Sequence, residues 1–92
     1  MALLGDDEIE AKLAGLEGWE RSGEAIVKAF KRGDFVGSVK FVEALVAPAE
    51  ALGHHPDLAI SWDTVTVTIS THSEGGLTAA DFKLAAQIDA VA

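Results

Sequence analysis

Two stretches of the chain alternate strictly between apolar and polar or small residues. Leu58, Ile60 and Trp62 stand against Ala59 and Ser61, and after Asp63 and Thr64 the residues Val65, Val67 and Ile69 stand against Thr66, Thr68 and Ser70. A period of two sends one set to each face of a strand, so this region predicts two strands joined by a tight turn, with Trp62 as a packing residue. Continuing the alternation, His72 falls in phase with the threonines and is expected to emerge at the strand end on the polar side. Upstream the period changes. Phe35, Val39, Val42, Val46 and Ala49 trace one face of a long helix, with Phe41 and Leu45 on a neighbouring stripe. Asp34 is placed to cap its start, while Gly53 and Pro56 end it. So wide an apolar face suits a helix lying over a sheet.

The flanks complete the pattern. Ile9, Leu13 and Leu16 predict an amphipathic helix from Asp6 to Leu16 with Asp6 as N-cap, and Ser22, Gly23 and Glu24 form the turn of a hairpin within WERSGEAIVKAF. Thr78 with Asp81 three residues on approximates a capping box for a last helix carrying Leu84, Ala85, Ile88 and Val91. The order helix, strand, strand, helix, strand, strand, helix predicts an α+β fold: a four-stranded antiparallel sheet with three helices packed on one face, as one domain over residues 1–92.

Composition narrows the chemistry. The formal charge of −8, with seven scattered Lys and Arg, opposes direct binding to nucleic acid. There is no cysteine, which excludes disulfides and thiolate metal sites and fits a reducing, cytoplasmic setting. The N-terminus lacks a basic, then apolar, secretion signal, and no apolar run approaches membrane-spanning length. A 92-residue chain makes a thin core, and with the wide stripe of the Phe35 to Leu52 helix this predicts a symmetric homodimer or homotetramer.

All three histidines fall in two places, His54 and His55 at the end of the long helix and His72 seventeen residues after the pair. A helix carbonyl end favours positive charge, and imidazole exchanges protons near neutrality, so the pair suits proton transfer. Read from the residues alone, the three permit a general acid/base site, a divalent metal site, or solvated polar residues. No cluster of Asp, Glu or Cys at ligand spacing supports the metal. No nucleophile elbow and no glycine-rich lysine loop is present either.

The spaced set Glu50, His54, His55, Pro56, Trp62, His72 and Asp81, with intervals of three, five, nine and eight residues between its blocks, resembles the motif of the pterin-4a-carbinolamine dehydratases. The stretch STHSEGGLTAADFKLAAQID and the Gly18–Trp19 pair extend the resemblance over nearly the whole chain. It implies an enzyme that dehydrates 4a-hydroxytetrahydropterin, left by an aromatic amino acid hydroxylase, to quinonoid dihydropterin, with no metal or organic cofactor. It also implies that His54 and His72 are the acid/base pair and that His55 mainly binds the substrate. Glu50, Asp81 and Trp19 are supporting candidates: Glu50 holding a His54 proton or standing as a solvated helix-end carboxylate, Asp81 capping the last helix or orienting an imidazole, and Trp19 flooring a pocket or packing. Replacing any of the three histidines is expected to leave the fold standing. Some animal members of that family act instead as a dimerisation cofactor of a transcription factor, so a protein-binding module is the second reading.

Overall fold

The computed structural model describes residues 2–92. Its elements run α1 (Asp6–Ala14), β1 (Glu20–Ser22), β2 (Ala25–Lys31), α2 (Phe35–Leu52), β3 (Asp57–Ser61), β4 (Thr64–Ile69), a one-turn 3₁₀ helix (His72–Glu74) and α3 (Ala79–Val91). The sheet order is β1-β2-β4-β3 and every pairing is antiparallel. This is the α+β architecture that the periodicities predict.

The alternation sets the layers. Ile26, Phe30, Val65, Val67 and Ile69 are buried beneath the helices, in the register Ile26 to Ile69 and Phe30 to Val65. Their partners in the core are Ile9 from α1, Phe41, Leu45 and Ala49 from α2, and Phe82, Leu84, Ala85 and Ile88 from α3. Fully burying each Ile, Val, Leu or Phe of this set contributes about 1.5–3 kcal/mol. Thr64, Thr66 and Thr68 lie on the opposite, uncovered face and stay partly exposed. Within the central β2–β4 pair, one charged residue occupies an inward register position: Lys28, opposite Val67. Its ammonium avoids the core by donating to Asp89 Oδ1 at 2.9 Å and to the Glu17 carbonyl at 2.8 Å at the margin of the layer.

Several local expectations are corrected. The first helix starts one residue earlier in function, with Gly5 as N-cap and its N–H donating to Glu8 Oε1, because Asp6 already has helical geometry. Its end is at Ala14, and Leu16 packs against the core from the following loop. In α2 the buried face is Ser38, Phe41, Leu45 and Ala49, while Phe35, Val36 and Val46 are more than half exposed. The helix therefore lies on the stripe next to the one with the longer apolar repeat. Trp62 does not pack within the chain: it sits at the β3–β4 turn with φ 50° and is 68% exposed. Val91 is likewise exposed at the end of α3.

The caps of α2 fix where its ends lie. Asp34 Oδ1 accepts from the Gly37 N–H at 2.7 Å, as expected of an N-cap. A Cβ on Gly37 would stand 2.3 Å from the Arg32 carbonyl oxygen, so this turn admits no side chain. At the far end Gly53 is left-handed, its N–H bonds the Glu50 carbonyl, and the His54 N–H bonds the Ala49 carbonyl. Those two bonds make the helix termination that delivers the histidine pair. Among the described residues no helix is long and apolar enough to cross a membrane.

Candidate active site

Each histidine is held by a different element and has its own carboxylate. Leaving the end of α2, the His54 ring turns inward, so that its side chain is 15% exposed and its Nε2 lies 2.6 Å from Asp81 Oδ1. Asp81 belongs to the first turn of α3 and is wholly buried. Its other oxygen, Oδ2, accepts from the Thr78 backbone N–H at 2.8 Å and from Thr71 Oγ1 at 2.9 Å. Both readings of Asp81 therefore hold at once, one oxygen capping the helix and the other facing the imidazole.

This arrangement assigns protons. A carboxylate can only accept, so the hydrogen between Asp81 and His54 resides on Nε2. In the neutral ring Nδ1 is then the basic nitrogen, on the side of the ring away from Asp81.

His55 points the other way, 65% exposed, with Nε2 2.5 Å from Glu50 Oε2. The glutamate thus meets His55 and not His54, which removes the first of its two readings and leaves it an exposed carboxylate at the helix end. Adjacent residues past a helix end diverge, and Glu50 faces outward with the second of them. His55, Glu50 and Pro56 line a depression of about 190 Å³ together with Val42, Leu45, Val46, Ala49 and Leu58. His72 opens the 3₁₀ turn, 76% exposed as the alternation predicts, and its Nε2 is 3.6 Å from Asp57 Oδ2. Because Asp57 directly follows His54-His55-Pro56, that contact brings the turn of His72 to the end of the sheet where the pair emerges.

Trp19 is not part of this group. It is 5% exposed, packs edge-on against Phe30 and donates its Nε1–H to Asp89 Oδ2 at 3.0 Å. Neither Asp57 nor Thr71 is singled out by periodicity or spacing in the sequence. Asp57 has no signal beyond following a proline, whereas Thr71 is a buried threonine just past a strand, next to a histidine, which could have been asked for its hydroxyl partner. Among the described residues no three His, Asp or Glu side chains converge as ligands of one ion.

Residues 2–91 match the family model described as pterin 4 alpha carbinolamine dehydratase. A relative from Roseiflexus castenholzii is 51% identical over 90 residues, covering 98% of this chain and 97% of its own. One from Thermosynechococcus vestitus is 49% identical over 89 residues, covering 97% and 94%. Both carry the provisional name pterin-4-alpha-carbinolamine dehydratase. A crystal structure from Brucella melitensis, titled transcriptional coactivator/pterin dehydratase, superposes with a TM-score of 0.93 at 36% identity and 99% coverage of both chains. A pterin dehydratase-like protein described as a RuBisCO assembly factor in the alpha-carboxysome gives 0.67 at 27% identity, covering 82% of this chain and 89% of its own.

Proposed function

Since this chain belongs to the pterin 4 alpha carbinolamine dehydratase family, we propose that it removes water from 4a-hydroxytetrahydropterin to give quinonoid dihydropterin. This would return the pterin cofactor of an aromatic amino acid hydroxylase to use. The observation that carries the reading is the His54–Asp81 pair, a partly buried imidazole whose Nε2–H is held by a fully buried carboxylate beside two exposed histidines.

The chemistry follows from that asymmetry. His54 Nδ1 takes the proton from N5, the electron pair left behind forms the C4a=N5 bond, and the 4a-hydroxyl departs as water with a proton from His72. No electrons are exchanged with any other group. The His72 imidazole, being exposed, can be reprotonated from solvent after each turnover, whereas His54 passes its proton on after product leaves. His55, turned outward with Glu50 over an apolar depression, is the substrate-holding histidine.

A hydroxylase that generates the carbinolamine gives the test. Added protein should accelerate loss of the carbinolamine absorbance, in chelator as without it. If chelation abolishes the acceleration and zinc restores it, the acid/base mechanism is wrong; if there is no acceleration at all, the activity is.

The exposed Phe35, Val36 and Val46 on α2 favour a second property, self-association into a homodimer or homotetramer. Light scattering that gives a monomer at all micromolar concentrations would exclude it. The same stripe is what a protein-binding, dimerisation-cofactor role would use. The lack of cysteine fits a cytoplasmic setting.

A further inference from the structure

His54 and His72 are carried by separate parts of the chain, and both trace back to one residue. The Thr71 carbonyl accepts from the N–H groups of Glu74 and Gly75, each at 3.0 Å, and its own N–H donates to the Gly76 carbonyl at 3.0 Å. The turn that presents His72 is thus pinned at its base by the Thr71 backbone. The Thr71 side chain points inward, where Oγ1 donates to Asp81 Oδ2 at 2.9 Å and lies 2.9 Å from Thr78 Oγ1. A hydroxyl has one proton, and here Asp81 takes it, so toward Thr78 the Thr71 oxygen acts as acceptor. Thr71 is 8% exposed, and Thr78 and Asp81 are fully buried, so water does not substitute for these contacts.

We propose that Thr71 is a positioning residue for the reaction: its hydroxyl holds Asp81, and through it His54, at a fixed offset from the turn that carries His72. This rests on the dehydratase reading given above. A carboxylate held on Oδ2 by two donors of fixed direction cannot swing about its Cβ–Cγ bond, and Oδ1 stays aimed at the imidazole. Without the hydroxyl Oδ2 keeps, among the described residues, the Thr78 N–H as its donor, and the ring of His54 gains freedom to rotate and to exchange its tautomer. The backbone bonds of Thr71 do not depend on its side chain, so the His72 turn is left as it was.

The test compares Thr71→Val, which keeps the shape and removes the hydroxyl, with Thr71→Ser, which restores it. Thr71→Val should lower kcat roughly tenfold with KM nearly unchanged, as expected for losing a bond to a charged group that acts through the transition state. Thr71→Ser should recover most of that rate. In 15N-labelled protein without substrate, His54 should show a protonated Nε2 and a bare Nδ1 in wild type and in Thr71→Ser, and an averaged pattern in Thr71→Val. The His72 signals should not move. A merely structural role would lower the melting temperature of Thr71→Val while leaving the His54 nitrogen pattern and kcat unchanged, and that outcome overturns the proposal. Wild-type protein supplies a check that needs no folded variant: the Thr71 hydroxyl proton should exchange slowly enough to be seen by NMR. A Thr71 hydroxyl exchanging as fast as an exposed threonine would overturn the proposal too. Failure of wild-type protein to turn over the carbinolamine would instead overturn the functional reading, and the nitrogen pattern, read without substrate, tells the two failures apart.

Discussion

His54 with Asp81 and His55 with Glu50 are adjacent histidine–carboxylate pairs of nearly equal length, 2.6 and 2.5 Å, and physically they have little in common. The first is 15% and 0% exposed at its two side chains, the second 65% and 67%. Water competes for every contact of the outer pair and screens its charges, so that pair contributes little to stability. The inner pair is largely shielded from that competitor, and removing His54 leaves a wholly buried carboxylate oxygen without its partner. Distance therefore says little about strength; desolvation and the number of other bonds on the carboxylate decide it. The difference also divides the labour, since a fixed imidazole suits proton abstraction from a set direction while a mobile one can follow a substrate in and out.

The comparison can be broken most severely at Asp81. Asp81→Ala should cost about 3 kcal/mol or more in chemical denaturation, because it removes at once a bond to His54, one to the Thr78 N–H and one to the Thr71 hydroxyl; it should also depress turnover. His54→Ala and His72→Ala come next, each lowering turnover by about 10²-fold in the hydroxylase-coupled assay. They should part in a melting experiment. His72→Ala should melt like wild type, whereas His54→Ala, which leaves a buried carboxylate oxygen without its donor, should lose about 1–3 kcal/mol. All three histidine variants should still fold. His55→Ala should raise KM severalfold with kcat close to normal, as steady-state kinetics would show. The smallest change belongs to Glu50→Gln, within about 0.5 kcal/mol of wild type in the same denaturation measurement. A large stability loss there would mean that the outer pair is not the solvated contact its exposure indicates.

Where the physics is local, the sequence is informative. Asp34 and Thr78 are legible as caps because the requirement is met within three residues, and the Val65-Val67-Ile69 alternation is legible because β4 is central in the sheet and has one buried face. The stripe of α2 is not, since an apolar surface wider than the sheet needs leaves two rotations open and only packing chooses between them. Trp62 misled for a related reason: alternation continued one residue beyond β3, into a left-handed turn position where the phase is lost. The site shows the same division. Histidine spacing and the Asp81 cap can be read along the chain, but Thr71 acquires its role from partners seven and ten residues away that only the turn at Gly75 and Gly76 brings to it.

Gly37 gives α2 the properties of a lever. It lies sixteen residues before Gly53, about 24 Å along a helix that rises about 1.5 Å per residue, with its own end set against the Arg32 carbonyl. A side chain there would push on the short arm, and a tilt of about 5° would swing the far end by about 2 Å, several times the roughly 0.5 Å within which catalytic groups must be held. A methyl group at one end of the molecule would thus be read out as misaligned imidazoles at the other.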